Sequence, residues 1–152
     1  MNFLYDLLHN PIFVAAVLGW LIAQILKTAI HLFMTRNFVA ERLVGSGGMP
    51  SSHSATMCAL ATAVGIRYGA EGFAFPIAVI LAIVVMYDAM GVRRETGIQA
   101  KVLNEMIELF DKMGKEMSVE DKLKEFIGHT PLQVLMGAIL GILVGAVICY
   151  IM

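Results

Sequence analysis

An all-α helical bundle embedded in a membrane is the fold class predicted for this 152-residue chain, and three observations predict it. Hydrophobic residues make up 59% and charged residues 15%, with a mean hydropathy of +0.78, so too few polar side chains exist to cover a water-soluble globule. Apolar runs recur at 11–34, 52–68, 74–90 and 131–152, each close to the roughly 20 residues that cross about 30 Å of hydrocarbon. The one sizeable polar stretch, between the third and fourth runs, carries a helical apolar stripe. The expectation is one domain over 1–152, with about four transmembrane helices and an amphipathic helix in a long cytoplasmic loop.

Composition also removes alternatives. Eleven Lys and Arg against twelve Asp and Glu give a formal charge of −1, so there is no basic excess of the kind nucleic-acid binding requires. Cys58 and Cys149 sit among apolar residues without a C-x-x-C pair and read as helix-packing residues, implying neither disulfides nor zinc.

The first run has no Lys or Arg ahead of Lys27, and Asp6 precedes it, so it reads as a retained span rather than a cleavable signal. The second, from Ser54 to Ile66, is built of small residues that suit a central helix contacting its neighbours closely. Arg67 to Gly72 forms a polar turn and Pro76 stands near the start of the third run, making a hairpin. In the long loop, Ile98, Val102, Leu103, Met106, Ile107, Phe110 and Met113 share one helical face, opposite Lys101, Asn104, Glu105, Glu108, Asp111 and Lys112. Such a helix lies on the membrane surface, or docks on the bundle or a second subunit. Ser118 and Asp121 resemble a capping box for a short helix ending near Gly128, and Thr130-Pro131 form the N-cap and first residue of the last span.

Basic residues set an orientation. Lys27, Arg36 and Arg42 flank the first loop, seven more occupy the long loop, and Arg67 alone lies on the other side. Both termini should therefore face out, with the basic loops in the cytoplasm.

Ionisable groups within spans are costly, so each needs a reason. Gln24, Lys27 and His31 fall at i, i+3 and i+7; Lys27 either points into the bundle with them or snorkels to the headgroups. The glycine-rich segment from Gly45 to Ser54 runs directly into the second span, leaving backbone N–H groups at a helix N-terminus where an anion is favoured. Ser51 or Ser52 can cap that helix and donate to a phosphate oxygen, and His53 in the first turn can transfer a proton near neutral pH. His129 precedes the last span, and Asp88 closes the third, followed by Arg93 and Arg94. Alternation of the spans puts the end of the first, the start of the second, the end of the third and the start of the fourth on one side. Two histidines, several cations and helix N-termini in one leaflet make a phosphoryl-transfer set: cations hold the equatorial oxygens, one imidazole attacks phosphorus and the other protonates the leaving oxygen.

Through Gln24-x-x-Lys27, Ser46 to Ala55, Asp88 to Arg93 and Gly128 to Pro131, the chain resembles the type 2 phosphatidic acid phosphatase superfamily. It looks most like that superfamily's divergent branch of short integral membrane proteins related to acid phosphatases and vanadium-dependent haloperoxidases. The resemblance implies a lipid phosphate phosphatase that needs neither metal nor cofactor. Lys27 would bind phosphate, as would Arg36 in the same motif and Ser51 and Ser52 in the second. His53 would be the acid and base, and His129 the nucleophile that becomes phosphohistidine. Where the superfamily has an aspartate four residues after this histidine, Gln133 stands, and no arginine lies six residues before it. The shared leaflet offers Arg93 or Arg94 as the cation and Asp88 as the orienting carboxylate. Two functions follow: hydrolysis of a lipid phosphate or polyprenyl diphosphate, or non-catalytic binding of a phosphorylated lipid headgroup. Gly137, Gly141 and Gly145 offer a small-residue face for a homodimer.

Overall fold

Asn10 and Pro11 start the first long helix as their chemistry dictates: the Asn10 side chain accepts from the N–H groups of Ile12 and Phe13, and Pro11 occupies a position whose N–H would be unused. In the computed structural model, which describes residues 2–38, 45, 47–113, 123 and 128–152 apart from the side chains of Arg93 and Asp111, this helix follows a short one. The elements are α1 (Phe3–Leu8), α2 (Pro11–Thr35), α3 (Ser52–Tyr68), α4 (Ala74–Met90), α5 (Val92–Lys112) and α6 (Pro131–Ile151), with no strand among the described residues. Of the apolar runs, the two central ones match α3 and α4 to the residue and the outer two end within one residue of α2 and α6. The capping box foreseen at Ser118 lies outside the described residues.

Three helical stretches are long and apolar enough to cross a bilayer: α2, the run that begins with α4, and α6. The 17-residue α3 packs against all three of α2, α4 and α6, most extensively against α6. The interior is made of small side chains, including Ala15, Ala23, Ala55, Ala59, Ala63 and Ala82, while Ile80, Leu81, Val84, Ile142 and Leu143 face outward. In water that arrangement would expose a large apolar surface; in lipid it is the expected one, because close backbone approach drives helix association there. The chain is an integral membrane protein.

The α3–α6 contact shows the principle. A methyl group at Gly137, Gly141 or Gly145 would run into the carbonyl oxygen of Ser51, Ala55 or Ala59 respectively. The glycine row therefore packs within the chain, one turn of α6 against one turn of α3, and is not the exposed dimer face that its spacing suggested.

Gly91 ends α4, its N–H bonding to the Tyr87 carbonyl, and α5 begins at the next residue, six positions earlier than the apolar stripe alone indicated. The stripe is not its buried face. Ile98, Val102, Leu103 and Met106 are exposed, whereas Gly97, Ala100 and Asn104 are buried. Asn104, which the pattern put on the polar side, exchanges hydrogen bonds of 2.9 and 3.0 Å with the backbone of Leu123. An amide that satisfies one residue's N–H and C=O together can be buried without penalty.

Candidate functional site

Four helix ends meet at one end of the bundle, held by bonds between loops and caps. The segment before α3 contains Gly47 and Gly48 with φ of 87° and 82°, a backbone region that other residues rarely occupy, and a cis Met49–Pro50 bond. Ser51, not Ser52, is the N-cap, its hydroxyl accepting from the Ser54 N–H at 3.4 Å. The Ser51 N–H donates to the Gln133 carbonyl at 3.0 Å, tying the start of α3 to the first turn of α6. Ser51 and Ser52 are both buried. So is the Ser54 hydroxyl, which has no hydrogen-bond partner among the described residues.

From α2, Gln24 and Lys27 are 3% and 2% exposed. The Lys27 ammonium donates to Gln24 Oε1 at 2.7 Å and to the Gly45 carbonyl at 3.2 Å, so it reaches into the bundle and onto the glycine-rich loop rather than to the headgroups. A buried ammonium persists only with such acceptors or an anion around it. His31 leaves the stripe: it lies within hydrogen-bond distance of the Thr35 hydroxyl, 3.4 Å away, at the exposed end of α2.

His129 is 1% exposed and its N–H donates to the Ala89 carbonyl at 3.0 Å, linking the start of α6 to the end of α4. Thr130 caps α6 in a reciprocal box: its hydroxyl accepts from the Gln133 N–H, and Gln133 Oε1 accepts from the Thr130 N–H at 3.0 Å. The same Oε1 lies 3.2 Å from His129 Nδ1. Because a backbone N–H needs an acceptor, the box fixes which end of the Gln133 amide faces inward, and that oxygen can only accept. His129 Nδ1 must then carry a proton, which in the neutral ring leaves Nε2 as the basic, nucleophilic nitrogen. The His53 and His129 rings lie edge to face with centroids 5.8 Å apart.

The remaining polar residues divide. Asp88 is half-buried, one residue before the Ala89 carbonyl that holds His129. Arg36 sits at the αL C-cap of α2, exposed and nine residues beyond Lys27, about 13 Å farther along the axis. Arg94 is exposed, its backbone against Gly128. The Arg93 side chain lies outside the described residues. Sequence reasoning passed over Gln133 as an orienting group, having sought a carboxylate, although a glutamine three residues after a threonine cap is a legible signal. It also passed over the Gly45 carbonyl and the Ser54 hydroxyl.

The chain resembles known proteins over nearly its full length. It is 34% identical to a Bacillus subtilis (strain 168) protein described as "Uncharacterized membrane protein YuiD", over 95% of this chain and 98% of that one. No solved structure matches it. The sequence pattern of the family described as "Divergent PAP2 family" covers residues 8–144, and so the chain belongs to the divergent PAP2 family.

Proposed function

We propose that the protein is a membrane phosphatase that removes the terminal phosphate of a lipid phosphate or polyprenyl diphosphate through a phosphohistidine. The pairing of His53 with a His129 ring whose Nδ1 proton is held by Gln133 carries this reading. In the first step His129 Nε2 attacks phosphorus, the bond to the leaving oxygen breaks, and His53 gives that oxygen its proton. In the second, a water attacks the phosphohistidine, His53 takes the water's proton, and inorganic phosphate leaves with His129 restored. With 5.8 Å between ring centroids, both imidazoles stand in one small region at the same end of the bundle. The Lys27 charge and the N–H groups that open α3 supply the positive field for the equatorial oxygens. Asp88, one residue before the Ala89 carbonyl that holds the His129 backbone, would help orient His129, and Arg94 would add a cation for phosphate at the same end.

The distribution of Lys and Arg supports an N-out, C-out orientation with this site at the cytoplasmic leaflet. The uncharged amide of Gln133 favours a second reading, in which the pocket binds a phosphorylated headgroup without turnover, since a neutral partner stabilises an imidazolium less than a carboxylate does. One experiment separates them. Purified protein assayed with a panel of lipid phosphates should release inorganic phosphate, and His53→Ala and His129→Ala should each lower the rate by about 10²-fold or more. Saturable binding with no release by the wild type selects the second reading, and release unchanged in both variants overturns the first.

A further inference from the structure

Beside the histidines lies a wholly apolar groove of about 230 Å³ in the seam between α2 and α6. On α6 it is lined by Met136, Ile139, Leu140 and Leu143, spaced i, i+3, i+4 and i+7 on one helix face. Leu26 and Ile30, one turn apart on α2, form the opposite wall. The glycine row of α6 points elsewhere, onto α3, so this face is not consumed by the bundle's own packing. Five of these six side chains are 37–59% exposed, and Leu140 is half-buried at the seam.

What identifies the occupant is where the groove begins. Its head is Met49 and Pro50, the residues directly before the Ser51 cap and His53. Leu26 is the neighbour of Lys27, and Met136 lies three residues past Gln133. From Met136 to Leu143 the groove runs about 10 Å along α6, away from the end where the two imidazoles stand and toward the middle of the helix. Purely hydrocarbon walls whose head adjoins in sequence the Ser51 cap, and which pass Leu26 next to Lys27, have the amphiphilic layout that a single-chain lipid phosphate needs.

We propose that this groove seats the hydrocarbon chain of the lipid whose phosphate lies between His53 and His129, so that the substrate is selected by one chain along the α2–α6 seam. The proposal rests on the lipid-phosphate reading above and adds the place and number of the chains recognised. A chain already dissolved in the bilayer gains nothing from leaving water, so its preference for the groove comes from close van der Waals contact with the walls, which adds up along the length that fits. Long-chain monoalkyl phosphates should therefore bind more tightly than short-chain ones, up to the length that fills the groove and no further.

The test uses the full chain in phosphatidylcholine vesicles and a long-chain alkyl phosphonate, which cannot be hydrolysed, carrying a diazirine in mid-chain. After illumination, adducts should concentrate on the α6 peptide containing Met136 to Leu143 and the α2 peptide containing Leu26 and Ile30. Excess long-chain alkyl phosphate should suppress them about tenfold, while the alcohol of the same length should not. Adducts spread equally over the outward face of α4, at Leu81 and Val84, would overturn the proposal, as would equal suppression by the alcohol. Because the probe is never turned over, the two readings fail separately. Groove labelling by a protein that releases no phosphate removes the phosphatase and keeps the groove; phosphate release with evenly spread label does the reverse.

Discussion

Gln133 Oε1 accepts from two donors at once, the Thr130 N–H at 3.0 Å and His129 Nδ1 at 3.2 Å, so the cap of α6 and the orientation of an imidazole are one structure. Breaking either bond disturbs the other. Gln133→Leu should cost about 1 kcal/mol of stability through the lost cap and lower phosphate release about tenfold or more by freeing the ring. Thermal melting in detergent beside the release assay reads both effects.

Gln133→Glu preserves the geometry and changes the charge. A carboxylate next to His129 favours the imidazolium and raises the ring's pKa, and attack requires the neutral ring. The acid limb of the kcat/KM profile should therefore move to higher pH relative to the wild type. A limb that stays in place, or moves down, would remove His129 from the titration.

Lys27→Met keeps the length of the side chain and removes its charge. Two acceptors, Gln24 Oε1 and the Gly45 carbonyl, lose a donor at about 1–3 kcal/mol for each acceptor left unsatisfied, while the cost of burying an ammonium disappears. The fold should survive these opposing changes, but inhibition by inorganic phosphate should weaken at least about tenfold, which a competition assay measures.

Gly141→Ala should destabilise by about 1–3 kcal/mol, because its methyl group meets the Ala55 carbonyl across the α3–α6 contact. Gly72→Ala is the control, since a methyl there comes no closer than 3.9 Å to the Tyr68 carbonyl. Equal melting temperatures for the two variants would contradict the packing described.

The spans were legible because a bilayer imposes one length and one polarity on whatever crosses it, and because Pro11, Ser51, Gly69, Gly91 and Pro131 punctuate the runs. The approach of His53 to His129 was legible from the parity of the spans alone. Arg36 was misleading, as proximity to Lys27 along the chain becomes distance along a straight helix. The role of Gln133 escaped because two chemistries share one atom, and sequence patterns name only the capping one. Asn104 escaped because its partner is a backbone, which carries no side-chain signature.

The row of Gly137, Gly141 and Gly145 against successive carbonyls of α3 also works as a ruler. One residue inserted into either helix along that contact would rotate everything beyond it by about 100° and put side chains where glycines now sit. The stretches from His53 to Ala59 and from His129 to Gly145 are therefore fixed in length, and tolerance of insertions belongs to the loops outside them.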